Sequence, residues 1–177
     1  VIQKEILMTD TLQDVLKELD KEYGLSVPDG VYHVRLDEAT SKVVESEDKP
    51  PSFNIGLKVF CGAHKGHRLS DFLRWITDEP EYERPSRGHV VQLMKAIMPL
   101  LTEGEKMAAV QALAAIRSAS SIGGTMEGFG AIAGLLRGKL FYVRATTGKK
   151  EFQNIGYLQK GAPITDICEC RTSAVAV

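Results

Sequence analysis

Apolar and polar positions alternate with period two from Phe53 to Phe60, with Phe53, Ile55, Leu57 and Val59 on one face and Lys58 on the other. That pattern predicts a half-buried strand. Upstream, Leu12, Val15, Leu16, Leu19 and Tyr23 recur at helical spacing behind a Thr11–Asp14 start signal, and Gly24 suits the helix end. After the strand, Ser70 and Asp71 read as a helix start, with Leu69, Phe72, Leu73 and Ile76 near one stripe and Trp75 at its edge. Two prolines and four acids between Asp78 and Pro85 are expected to interrupt any helix. Ser86 then caps a segment in which Val90, Leu93, Met94 and Ile97 recur at three and four, and Pro99 ends it.

Thr102 with Glu105 gives a capping-box pattern, and Met107–Ile116 is apolar except for Gln111, which predicts a helix buried on most sides. Gly128–Leu136 is apolar and glycine-rich. Two hairpins are expected: Val31–Leu36 with Lys42–Glu45 across Asp37–Ser41, and Leu140–Ala145 with Glu151–Leu158 across Thr146–Lys150. The charged, proline-bearing stretch 45–52 reads as an exposed linker, and residues 161–177 as a polar tail. These elements predict a single α+β domain over 1–177, a small antiparallel sheet flanked by several helices.

A length of 177 residues suffices for one core. The net charge of −1 conceals a split: residues 1–83 carry 10 basic and 17 acidic side chains, and residues 84–177 carry 12 and 6. Such a split suits head-to-tail association, although sequence halves need not map onto faces. Three cysteines, Cys61, Cys168 and Cys170, do not make a disulfide scaffold, so a reducing, intracellular setting is expected. No stretch has the ~18 apolar residues of a membrane span, and no secretory signal opens the chain.

Chemical motifs are sparse. Cys61, His64 and His67 could ligate zinc with Cys168 and Cys170, but the far pair is separated by one residue, so no metal is expected. Cys61 beside His64 lacks the further groups a nucleophile needs, and Gly128-Phe-Gly130 lacks a preceding strand, so neither an enzyme nor a cofactor site is expected. The glycine-rich segment with Ile122, Phe129, Ile132, Leu135 and Leu136 has the composition of segments that meet membrane interfaces, or of a helix packed through small residues. His64-Lys-Gly-His-Arg68 with Arg137, Lys139, Arg144, Lys149 and Lys150 could meet phosphates, but the pI near 6.5 argues against a dedicated nucleic-acid binder.

From Ser52 to Glu105 the expected order of elements resembles the first part of the folded core of rhabdovirus matrix proteins. The residues that carry the likeness are Phe53–Phe60, Ser70-Asp71, Trp75, Tyr82, Arg84-Pro85 and Val90–Leu101. Pro50-Pro51-Ser52-Phe53 lacks the tyrosine of the family's Pro-Pro-x-Tyr budding motif, which fits a plant-infecting branch better than an animal one. The resemblance implies a non-enzymatic structural protein of the virion and host cytoplasm that associates with itself, coats the viral nucleocapsid and meets an anionic membrane surface. A nucleocapsid-type protein contacting nucleic acid directly is the alternative. Self-association is expected to join Glu45, Glu47, Asp48, Asp78, Glu79, Glu81 and Glu83 of one copy to Arg137, Lys139, Lys149 and Lys150 of another. The membrane contact falls to Ile122, Phe129, Ile132 and Leu135.

Overall fold

The structure, a computed structural model, describes residues 12–16, 27–148 and 153–158. Six strands form one antiparallel sheet: β1 (Gly30–Leu36), β2 (Lys42–Ser46), β3 (Lys49–Val59), β4 (Arg68–Leu73), β5 (Leu140–Thr147) and β6 (Gln153–Tyr157). The helices α1 (Pro80–Ile97), α2 (Glu103–Ser118) and α3 (Ile122–Leu135) separate the first four strands from the last two. The α+β expectation therefore holds, as does the hairpin of β5 with β6, where Val143 faces Tyr157 and Ala145 faces Ile155.

β3 organises the sheet. One edge pairs with β4, and the other pairs with β2 along its first half and β1 along its second. The expected pairing of β1 with β2 does not form. Both lie end to end on β3, with Leu36 opposite Leu57 and Lys42 opposite Asn54, so residues 37–41 bulge out over Gly56. The bulge is wired to the strand beneath it. Asp37 N–H donates to Gly56 O at 2.8 Å, Gly56 N–H donates to Ser41 Oγ at 3.0 Å, and Asn54 Nδ2 donates to Thr40 O at 2.8 Å. A Cβ on Gly56 would lie 1.9 Å from Thr40 Oγ1, so only glycine fits under this bulge.

Three further expectations differ from the structure. The stretch 45–52 is no linker but the β2–β3 hairpin, closed by Glu47 and Asp48 and stabilised by pairing such as Val44 with Ser52. Arg68–Leu73 is a strand rather than a helix starting at Ser70, because Leu69, Asp71 and Leu73 turn inward at period two. α1 also begins before Ser86: Pro80 stands at its first position, where a missing N–H is harmless, and Pro85 is carried within the helix.

Phe53, Ile55, Leu57 and Val59 share a core with Val90, Leu93 and Ile97 of α1 and with Phe129 and Ile132 of α3. α2 packs on α3 at close range, since a Cβ on Gly128 would meet Ile116 Cγ1 at 2.4 Å. The Thr102–Glu105 capping box forms as expected, with both reciprocal hydrogen bonds present. α2 is not buried on most sides, however. Only Ala109, Ala112 and Ile116 are buried. Residues 12–16 are helical, and Leu12, Val15 and Leu16 are exposed. The rest of the expected first helix and the polar tail lie outside the described residues.

Candidate interaction surfaces

The core residues of α1 and α3 cover one face of the sheet, while the opposite face carries two parallel rows of side chains set by strand register. Arg68 of β4 stands opposite Lys58 of β3, and Lys58 opposite Arg35 of β1. Three cations therefore line up directly across three strands, an arrangement that repels and destabilises. Two residues along, Phe60 follows β3 and its N–H donates to His33 O at 2.8 Å; His33 in turn faces Tyr142 of β5. Their rings touch in sequence, with Phe60 edge-on to His33 at 5.5 Å and His33 stacked on Tyr142 at 4.5 Å. Burial lowers the pKa of His33 below 6.5, so this ring is neutral at pH 7.

Acids near these rows have partners of their own. Asp37 Oδ2 lies 3.4 Å from Arg68 Nε, and Glu38 Oε1 lies 2.6 Å from Arg137 Nε. Arg35 and Lys58 form no ion pair or side-chain hydrogen bond among the described residues. Together with Asp37, Glu38, Phe60, Gly138 and Leu140 they line a shallow concavity beside the bulge.

A second surface lies on the helix side. No charged residue occurs on α2 between Lys106 and Arg117, and Met107, Ala108, Val110, Gln111, Ala114 and Ala115 are all exposed. Met107 is 67% and Val110 58% accessible, values that leave more than half of each residue's surface in water.

One buried polar cluster pins the layers together. Asp71 of β4 points inward beside Ile55. His89 Nε2 of α1 lies 2.8 and 2.9 Å from its two carboxylate oxygens, and Tyr157 Oη of β6 donates to Oδ2 at 2.6 Å. The hydrogen bond and charge of Asp71 raise the pKa of His89 despite partial burial. Burial, then the Asp71 charge, raises that of Tyr157. Asp71 uses both oxygens on this tie, and none of the concavities at α2, the bulge or Trp75 includes these residues. The arrangement satisfies a buried carboxylate.

The chain matches no protein-family model, no curated protein and no solved structure.

Among the residues expected to meet a membrane, Phe129 and Ile132 are fully buried and Leu135 is partly so; only Ile122 is exposed. This corrects the membrane expectation for 122–136, because α3 spends its apolar side chains on the core and its glycine on α2. No helix among the described residues is long and apolar enough to cross a membrane.

Glu45, Glu47 and Asp48 stand exposed around the β2–β3 turn, as do Asp78, Glu79 and Glu81 at the start of α1, whereas Glu83 is tied to Arg87. Lys139, expected to reach a neighbour, instead binds Glu105 of its own chain at 2.7 Å, and Arg137 binds Glu38. Lys139, and then the Thr102 N–H, hold the partly exposed Glu105 carboxyl down at about 2. Lys149 and Lys150 lie outside the described residues. Cys61 is disulfide-bonded, which removes the thiolate a nucleophile or zinc site would need and departs from the reducing setting expected. His64 and His67 pack edge to face at 5.4 Å.

The sequence reading named Arg68 as a possible phosphate contact but not the cation and ring rows themselves. Their only sequence signal is the outward half of each strand alternation, and no single segment contains more than two members of either row.

Proposed function

We propose that this chain is a non-enzymatic, matrix-like assembly protein that associates with itself, coats a viral nucleocapsid and links it to a lipid envelope. The observation that carries self-association is the uncharged outer face of α2. Three turns of helix present methionine, valine, alanine and glutamine to water, and a globular protein gains by removing such a patch from solvent. Small side chains at Ala108, Ala114 and Ala115 let a second helix approach closely. A second copy of the same face is the matching occupant, because a self-complementary patch gives a two-fold contact. The matrix part of the proposal draws on the resemblance through Phe53–Phe60, Trp75, Arg84-Pro85 and α1. Its envelope contact falls to the exposed Leu12, Val15 and Leu16, since α3 is occupied with the core.

Sedimentation velocity tests the proposal. Wild-type oligomers should persist at high salt, where a contact between exposed charges would be screened within a Debye length of about 8 Å or less, and Val110→Asp should abolish them. A wild-type monomer at all concentrations, or oligomers unchanged in Val110→Asp, would reject the α2 interface.

A further inference from the structure

From the outer sheet face we infer a binding surface for single-stranded nucleic acid, with the Arg68–Lys58–Arg35 row meeting phosphates and the Phe60 ring receiving a base. α2 lies on the helix side of the sheet, so this surface does not depend on the assembly reading.

Three features converge. The fold holds three cations directly opposite one another, which costs stability in the isolated protein and is relieved when an anion arrives. The nearby acids supply only part of that relief: Asp37 pairs with Arg68, Glu38 is engaged by Arg137, and Arg35 and Lys58 have no acid partner among the described residues.

The ring row then selects the kind of anion. Phe60 is 37% accessible and lies at the end of the ring row, edge-on to His33, which is itself stacked on Tyr142. Alternate residues on a strand are about 6.6 Å apart, so the cation and ring rows run parallel at roughly that separation. A strand of nucleic acid can lay its backbone along the first row and turn a base onto the second, combining phosphate neutralisation with stacking. A duplex hides its base faces and could use only the cations. A lipid headgroup would likewise use the cations but gain nothing from the flat face of an aromatic ring. The chain's near-neutral overall charge is compatible with a local surface of this kind, because Asp37 and Glu38 beside it are paired and other acids gather at the β2–β3 turn and the start of α1.

The test is fluorescence anisotropy of the full chain with a short labelled uridine homopolymer across a salt series. The wild type should bind, with affinity falling as salt rises. Arg35→Gln with Lys58→Gln should flatten that dependence by about 1.4 in log–log slope, since single strands give roughly 0.7 per phosphate contact. Phe60→Ala should weaken binding about 5- to 150-fold, the range set by base–aromatic stacking, and leave the slope alone. Phe60→Leu, which keeps apolar bulk for the fold, should also weaken it. The Arg35–Lys58 variant should unfold at a higher temperature than wild type, because it removes the row's repulsion; this readout does not involve any ligand. Val110→Asp, on α2, should bind as wild type does, so loss of assembly and loss of nucleic-acid binding are read separately. Absence of wild-type binding overturns the inference. So does an unchanged salt slope in the double variant. Binding to anionic phosphatidylserine vesicles that Arg35→Gln with Lys58→Gln abolishes, with uridine binding unaffected by either Phe60 variant, would assign the surface to lipid instead.

Discussion

Replacing Asp71 by asparagine probes the buried tie between α1 and the sheet. The substitution keeps shape and leaves an oxygen to accept from Tyr157 Oη, but it removes the negative charge that holds a proton on His89. A charge-assisted hydrogen bond contributes about 1.5–3 kcal/mol and a neutral one about 0.5–1.5. The His89 side chain is 28% accessible, so the lower part of the first range applies and a loss of about 1.5–2 kcal/mol is expected at acidic pH. The pH dependence is the sharper signature. His89 has a folded pKa above its ordinary 6.5, so its stabilisation is complete below 6.5 and disappears as pH rises through the folded value. The difference between wild type and Asp71→Asn should therefore shrink toward the neutral-bond range as pH increases. His33 works oppositely: burial lowers its pKa, so stability falls as pH drops through 6.5. That contribution is common to both proteins and cancels in the difference. Urea unfolding from about pH 5 to about pH 9 measures the two curves, with unchanged slopes in denaturant required for the comparison. A difference that stays constant with pH would refute a charged His89–Asp71 link.

Two substitutions test the frame around these surfaces. Gly56→Ala sets a methyl group 1.9 Å from Thr40 Oγ1, so it should cost about 1–3 kcal/mol by thermal or chemical melting; a double-mutant cycle with Thr40→Gly should recover part of that, and strictly additive losses would show that the bulge does not press on β3. Thr102→Ala removes the side chain that accepts from Glu105 N–H and should lower stability by about 1 kcal/mol, whereas an unchanged urea midpoint would argue against the cap.

Elements whose signals are local were legible. Phe53–Val59 and the hairpin of β5 and β6 announce themselves by alternation, and Thr102 with Glu105 by a four-residue pattern. The misread elements depend on partners distant in the chain. Asp71 looks like a residue of a helix's first turn because an inward-facing acid breaks a strand's apolar alternation. Only His89 and Tyr157, brought in by α1 and β6, make that position acceptable. The stretch 45–52 looks like a linker because its prolines and charges occupy the outer end of a hairpin, where both are tolerated. Phe129 could have faced lipid or core by composition alone, and its complete burial, with Gly128 close against Ile116, decides for the core. Arg35, Lys58 and Arg68 belong to three strands, so their alignment depended on a register that no local pattern reveals.

The position of β1 has a bearing on how the chain comes together. Strands β2, β3 and β4 are neighbours in sequence and can find one another quickly, as can β5 and β6. β1 is the seam between these groups, and its second edge is complete only when Gly30 meets Ala145 after all three helices have been made. Until then, a nascent or partly unfolded molecule carries an open strand edge, and an equivalent β5–β6 hairpin waits in every other copy. Crowded synthesis therefore sets up a contest between closing the seam within one chain and exchanging hairpins between two.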